Sequence, residues 1–413
     1  MSGAGGHHGG MVTGSPPAQP HQLPPAPRKA RPRRRGGVAF TVVLSIVMVL
    51  GAGAMALVLL ASGAPNALVI GVVLAAVPVG PLIACFMWLD RYEPEPVSLL
   101  GFAFGWGAFV ATTVALVLQI LAQATLGLSD AWAAATVAPA TEEAAKGFFV
   151  VLLLFLRRHE VDGILDGIVY AGVVAIGFTF TENILYLASA YMGGEGLGAG
   201  GLGAATGTFV IRGIFSPFAH PFFTAAIGVG VGYAVITRSG LMRFLAPLLG
   251  YGVAVLAHAL WNASAFFGGG QLFVLTYLFA MVPAFVLTVS FAVWVRKREG
   301  EMLSRALTDC AYRGFLPHQE VPWLVRLPGR RASRRFAKDN GGPGAAKVIS
   351  EYQQQAIELG FLHGRFLRGT APADFAHYGQ KMVDYLAALR PYVMFPPTPV
   401  RTWPPGTYRG GAG

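Results

Sequence analysis

Eight apolar runs occupy most of the chain, at about 38–62, 67–89, 97–121, 131–156, 164–191, 214–237, 245–267 and 272–295. Each is close to or longer than the roughly 20 residues that a helix needs to cross a bilayer. In lipid no water satisfies the backbone polar groups, so runs of this length must bond internally as helices. Composition agrees. The chain is 54% hydrophobic and 12% charged, whereas soluble domains carry about 25% charged residues. Its mean hydropathy is +0.55. The net charge of +11 does not indicate nucleic acid, because the basic residues lie in connections and tails beside the apolar runs, where the positive-inside rule puts them. The expected fold is all-α: a polytopic membrane protein of about eight transmembrane helices, with a disordered N-terminal arm and a small helical cytoplasmic tail.

Three parts follow: 1–36 as the basic arm, 37–296 as the membrane domain and 297–413 as the tail. The arm is rich in Gly, Pro and His and ends in RKARPRRR. Its composition cannot bury a core, and His7 and His8 read as part of a solvated tract rather than a metal site. The first apolar run is much longer than a signal-peptide core of 7–15 residues, so it reads as a signal anchor. The second connection is DRYEPEP (90–96), the fourth LRRHEVDG and the sixth TRSGLMR, and the last span ends WVRKREG. The intervening connections, SGAPN, GLSD, a Gly-rich loop (193–207) and FGGGQ, carry almost no Lys or Arg. This alternation places both termini in the cytoplasm. In the tail, 351–369 and 372–393 read as amphipathic helices. Residues 326–344 read as a basic linker, solvated or lying on anionic lipid. The two cysteines, Cys85 and Cys310, support neither a disulfide framework nor a Cys-based zinc site.

Against this background the ionisable residues inside the spans stand out, since each costs roughly 2.5–3.5 kcal/mol on insertion scales. The fourth run contains TEEAAKG, with Glu142, Glu143 and Lys146. The fifth contains Glu182 and Asn183, the sixth His220 and, at its outer start, Arg212. The seventh contains His258 and Asn262. At 1.5 Å per residue the glutamates, histidines and asparagines fall about 8–18 Å below the outer ends of their spans. All therefore lie in the outer half of the membrane, on four consecutive spans. His258 and Asn262 share a helix face, and Lys146 is i,i+4 to Glu142 and i,i+3 to Glu143. Lys146 can thus neutralise one glutamate and leave the other for chemistry. Each group has a plainer reading: an interhelical clamp for the Glu–Lys pair, packing for a histidine, helix glue for an asparagine. Arg212 either snorkels or closes over the cluster, and Asp162 with Asp166 reads as interfacial. The convergence of the whole set on one depth argues for a site.

A carboxyl in apolar surroundings suits acid–base work near neutral pH, and imidazoles hold a metal or stabilise an oxyanion. Two mechanisms for activating water against an amide stay open. With a metal, His220, His258 and either Glu182 or Glu142 match a His₂Glu zinc set with one open position. Without one, a glutamate activates water directly and His258 with Asn262 holds the oxyanion. HExxH and GxSxG are absent. A proton-coupled transporter and a membrane scaffold or receptor with a buried polar cluster are the rival classes.

These motifs together resemble the PrsW family of intramembrane proteases, related to the CAAX prenyl endopeptidase group. Glu142, Glu143 and Lys146 match the family's EExxK. Phe178, Glu182 and Asn183 match its FxxxEN. His220 and His258 match its two histidine motifs, and DRYEPEP is similar to its loop after the second span. The resemblance covers roughly residues 65–296. It implies an endopeptidase, of metalloprotease or glutamate type, with Glu142, Glu143, His220 and His258 catalytic and zinc as the ion if one is bound. It also implies a membrane-anchored protein substrate cut near the outer face of a bacterial plasma membrane, with anti-sigma factors in the substrate class.

Overall fold

The computed structural model describes residues 37–397 apart from 62–63, 158–159 and 195–198. The arm with His7 and His8, and the chain after 397, lie outside the described residues. Among the described residues every regular element is a helix. The helices of the apolar part are α1 (Gly37–Ala61), α2 (Pro65–Leu89), α3 (Val97–Leu126), α4 (Ala138–Leu156), α5 (Ile164–Tyr191), α6 (Gly201–Ile236), α7 (Gly240–Phe267) and α8 (Gly270–Tyr312). All but α4 are long and apolar enough to cross a membrane by length and composition. Short helical turns at Asp130–Trp132 and Ala133–Val137 lead into α4. The expected fourth span, 131–156, is therefore helical throughout, and its three ionisable residues are what set it apart from the other seven. The protein is a multi-pass integral membrane protein.

The spans are arranged around α5, which is buried along nearly its whole length, whereas α1 and α8 are largely exposed. α5 packs against α2, α3 and α6, and α6 packs in turn against α7. In lipid this packing gains little from burying apolar surface, so close approach of small residues does the work. A Cβ added at Gly167 would sit 2.1 Å from the Gly228 carbonyl oxygen of α6, and one at Gly177 would sit 2.0 Å from the Phe104 oxygen of α3. Only hydrogen fits at either crossing.

α6 begins inside the Gly-rich segment that reads as a loop: residues 201–207 are already helical. Its backbone widens into a π-helical turn at Val210–Phe215 and breaks at Ser216, before Pro217, then restarts at Ala219. The Ser216 hydroxyl donates to the Ile211 carbonyl at 2.8 Å, the same oxygen that accepts the Ser216 N–H at 3.0 Å, so the polar side chain at the break is satisfied internally. The break places His220 in the first turn of the restarted helix.

α8 continues beyond the expected membrane boundary near 295 into a second core. There it meets α9 (Val321–Val325), α10 (Leu327–Leu367) and α11 (Phe375–Leu389). Leu303, Leu307, Leu324, Tyr352, Phe361 and Leu386 are among its buried members. The expected linker at 326–344 is instead the first part of α10. Its buried face is Arg330, Ser333 and Ala337, and Arg331, Arg334, Arg335 and Lys338 are exposed. The helix bends where Gly342 takes a left-handed φ of 72° ahead of Pro343.

Candidate active site

The polar residues of α4, α5, α6 and α7 meet in one cluster. α4 is pinned from both sides: the Trp106 indole N–H donates to the Ala145 carbonyl and the Tyr251 hydroxyl to the Ala140 carbonyl, each at 3.0 Å. This fixes the rotation of the helix, and with it the direction of Glu142, Glu143 and Lys146, all three buried.

The two neighbouring glutamates have different surroundings. Glu143 is fully buried. Its Oε1 accepts from Lys146 Nζ at 2.7 Å and lies 3.1 Å from His258 Nδ1, and its Oε2 accepts from the Thr224 hydroxyl at 2.8 Å. Both of its oxygens are thus engaged. Glu142 lies farther from the ammonium, at 3.5 Å, and its Oε1 accepts from the Gln119 amide at 3.3 Å. Its Oε2 faces His220 Nδ1 at 4.0 Å and His258 Nε2 at 3.9 Å. Lys146 therefore compensates mainly Glu143. Beneath it, the Phe178 ring lies 4.1 Å from the ammonium, a cation–π contact in a water-poor setting.

Each histidine has a carboxylate on its outward nitrogen, Glu143 on His258 Nδ1 and Glu182 on His220 Nε2 at 2.9 Å. With the N–H of each ring given to that carboxylate, the other nitrogens, His258 Nε2 and His220 Nδ1, present lone pairs toward Glu142 Oε2. Carboxylate–histidine pairs of this kind are how proteins orient imidazoles toward a metal. Among the described residues, Glu142, His220 and His258 form a group whose ligand atoms lie within 4.8 Å of one another. Tetrahedral zinc bonds would bring such atoms to about 3.4 Å apart, so a modest closure accommodates an ion and the donor set fits one. The Lys146 ammonium stands 3.0 Å from His220 Nδ1, which places a positive charge where the lone pairs converge.

Glu182, expected as a ligand alternative to Glu142, stands on the far side of the His220 ring from this group. Arg212 closes over it rather than snorkelling. Its Nη2 donates to Glu182, its Nε donates to Asn183 Oδ1 at 2.8 Å, and the guanidinium lies 3.9 Å from the Tyr186 ring centroid. Asn262 is turned away, with its amide donating to the Ala134 carbonyl at 2.9 Å. Asp166 is buried and accepts from the Asp162 and Gly163 N–H groups, capping the start of α5. Gln119 and Thr224 belong to the cluster although neither stands out in the sequence. Thr224 is i,i+4 to His220 and could have been found by that spacing.

A buried cluster of this kind, supplied by four helices, brings together the carboxylates and imidazoles that a membrane-embedded hydrolase needs. The comparisons specify which hydrolase. The family described as "PrsW family intramembrane metalloprotease" matches residues 95–288, a range that contains every residue of the cluster. The chain is 30% identical over 189 residues to Protease PrsW of Geobacillus kaustophilus (strain HTA426), covering 44% of this chain and 77% of that protein. It is 29% identical over 106 residues to Protease PrsW of Bacillus subtilis (strain 168), and 30% identical over 115 residues to Protease PrsW of Clostridioides difficile (strain 630). Each of these two matches covers 26% of this chain and 48% of the relative. No solved structure matches. The chain belongs to the PrsW family of intramembrane proteases.

Proposed function

We propose that the chain hydrolyses a peptide bond of a membrane-anchored protein near the outer face of a bacterial plasma membrane, with Glu142, His220 and His258 holding a zinc ion. The observation that carries this reading is the convergence of three electron-pair donors, Glu142 Oε2, His220 Nδ1 and His258 Nε2, while carboxylates take the remaining ring nitrogens. When bound, zinc supplies Lewis acidity toward a water and the scissile carbonyl. The chain's own residues do the rest. Glu143 and Glu182 hold the two imidazoles in the tautomers that leave those lone pairs free. Lys146 and Thr224 hold Glu143. Glu142 Oε1, steadied by Gln119, takes the proton of the attacking water and returns it to the leaving amine. Were an ion held there, His220 Nδ1 would face it instead of the Lys146 ammonium, and Lys146 would keep Glu143.

The metal-free alternative has less support, because the Asn262 amide it needs as an oxyanion donor is bonded to Ala134. A transporter needs polar groups along a path, and here they form one compact knot. By the family resemblance, an anti-sigma factor is the proposed substrate. The catalytic unit is proposed as 37–296, with 297–413 as a cytoplasmic module.

The test is metal content of the detergent-purified full chain, paired with cleavage of a single-span model substrate with and without chelator. Near-stoichiometric zinc with chelator-sensitive cleavage is expected. Cleavage that persists in metal-free protein overturns the ion and returns the chemistry to a glutamate-activated water.

A further inference from the structure

A cavity of about 470 Å³ lies where the start of α5, the end of α6 and residues 294–305 of α8 meet the end of α10. It sits on the membrane face that carries the basic connections. One wall is made of span ends, Ile164, Ile236 and Trp294, and Trp294 is half exposed. Phe361 and Leu367 of α10 cover the other side. The charged lining is balanced: Arg298, Arg305 and Arg368 against Asp162, Glu299 and Glu301. Arg298 and Glu301 approach at 4.0 Å on the exposed rim, and the Arg298 guanidinium lies 5.2 Å from the Trp294 ring centroid, an arrangement suited to the headgroup layer. Inside, the Arg368 Nε is buried with no hydrogen-bond partner among the described residues. Arg238 donates to the Arg368 carbonyl at 2.7 Å, fixing that end of α10 to the start of the α6–α7 connection.

A buried guanidinium nitrogen without an acceptor is costly, and an oxyanion would satisfy it. Arg298 and Glu301 face each other on the rim; of the remaining charges, a purely anionic ligand would answer Arg305 and Arg368 alone, and a purely cationic one Asp162 and Glu299 alone. A ligand with both a phosphate and an ammonium that carries N–H groups answers both sets. The apolar wall continues the surface of the spans, so a ligand with acyl chains can reach the site from the bilayer, whereas a soluble zwitterion would leave that wall uncovered. We propose that this cavity binds the headgroup of phosphatidylethanolamine, its phosphate against Arg305 and Arg368 and its ammonium against the acidic side. The lipid then joins the span ends to α10.

The proposal is independent of proteolysis and is read by binding. The full chain, stripped of lipid in detergent, is titrated with phosphatidylethanolamine, phosphatidylcholine and phosphatidylglycerol while retained lipid is followed by native mass spectrometry and unfolding temperature. Phosphatidylethanolamine should be held about tenfold more tightly than either of the others. Phosphatidylcholine matches its charges but has no N–H to donate, and phosphatidylglycerol lacks the cation. The Arg305→Gln, Arg368→Gln double variant should lose that preference while still binding the other lipids weakly. Equal retention of phosphatidylcholine, stronger retention of phosphatidylglycerol, or an unchanged preference in the double variant overturns the assignment. So does free phosphoethanolamine binding as tightly as the lipid, since that would make the site one for a soluble molecule. The lipid series on the unaltered protein decides the matter even where the variant folds poorly.

Discussion

Glu142 and Glu143 are adjacent in the chain, yet the helix turns them toward different partners, and their substitutions should differ accordingly. In Glu143→Gln, the Lys146 ammonium loses the negative charge of its 2.7 Å partner and stands buried as an uncompensated cation, a change that typically costs about 3–5 kcal/mol. That variant should express poorly and unfold at lower temperature. Glu142→Gln keeps the Lys146–Glu143 pair and should insert and fold, yet lose zinc and cleavage together. Full zinc content in an inactive Glu142→Gln would make Glu142 a proton carrier only. Thr224→Val is a milder probe. It removes one bond to Glu143 and should weaken metal retention about 10–100-fold, as loss of a group that orients a ligand usually does. Retention equal to that of the unaltered protein would separate Thr224 from the site. At this scale, large polar groups in apolar runs were legible because their insertion cost is visible in one dimension. Thr224 was not, since a threonine passes unremarked in a span. Gln119 was obscured differently. The third apolar run ends near 121, which puts Gln119 at the membrane surface, but α3 continues to Leu126 and carries it about 10 Å below the end.

Among the elements, α5 is both the packing centre and the carrier of Glu182 and Asn183, so its crossings should matter to the site. Gly177→Leu puts a side chain where a Cβ alone would stand 2.0 Å from the Phe104 oxygen. Overpacking of this kind costs about 1–3 kcal/mol and should lower the unfolding midpoint, whereas leucine at Gly101, where a Cβ meets nothing within 4 Å, should leave it unchanged. The α2–α3 connection ties the other end of α5 to the tail core. Asp90 accepts the Glu95 N–H at 2.7 Å, Glu95 accepts the Tyr170 hydroxyl of α5 at 2.6 Å, and Arg330 of α10 donates to the Tyr92 carbonyl at 2.8 Å. Burial pushes the Asp90 carboxyl from 3.8 up to about 7, and burial pushes Glu93 and Glu95 upward too. The folded loop therefore holds protons more tightly than the unfolded chain. Its stability is full below about pH 4 and is lost as pH rises through about 7. Hydrogen exchange over 90–96, corrected for intrinsic rates, should be slower at about pH 6 than at about pH 8, and Asp90→Asn should reduce that difference. An unchanged pH dependence in Asp90→Asn would place the effect on the glutamates alone. Run length read these elements well where apolar residues dominate: 164–191 coincides with α5. It failed at 201–207 and 326–344, where small or basic residues form helix and the stabilising contacts come from distant partners such as Tyr92.

For the whole molecule, one question separates composition from geometry: whether the stretch 130–156 crosses the membrane. Counting only apolar helices gives seven spans, which would put the two termini on opposite sides. Counting α4 as well gives eight and puts both termini on the side of the basic connections. The cost of inserting α4 is that of Glu142, Glu143 and Lys146, roughly 2.5–3.5 kcal/mol apiece for isolated charges. They are not isolated, because Lys146 is paired with Glu143 and sits over Phe178 while His258 and His220 both face carboxylates. Seven spans would also break the alternation of the connections, in which LRRHEVDG and TRSGLMR are basic and GLSD is not. Reporter fusions that are active on only one side of the membrane should therefore give the same answer at the C-terminus and in the connection after α4. The opposite answer is expected in the connection after α3. If the two connections flanking α4 instead report the same side, α4 does not span. The cluster would then lie against a membrane surface rather than within the outer half, and a substrate bond cut inside the bilayer could not reach it.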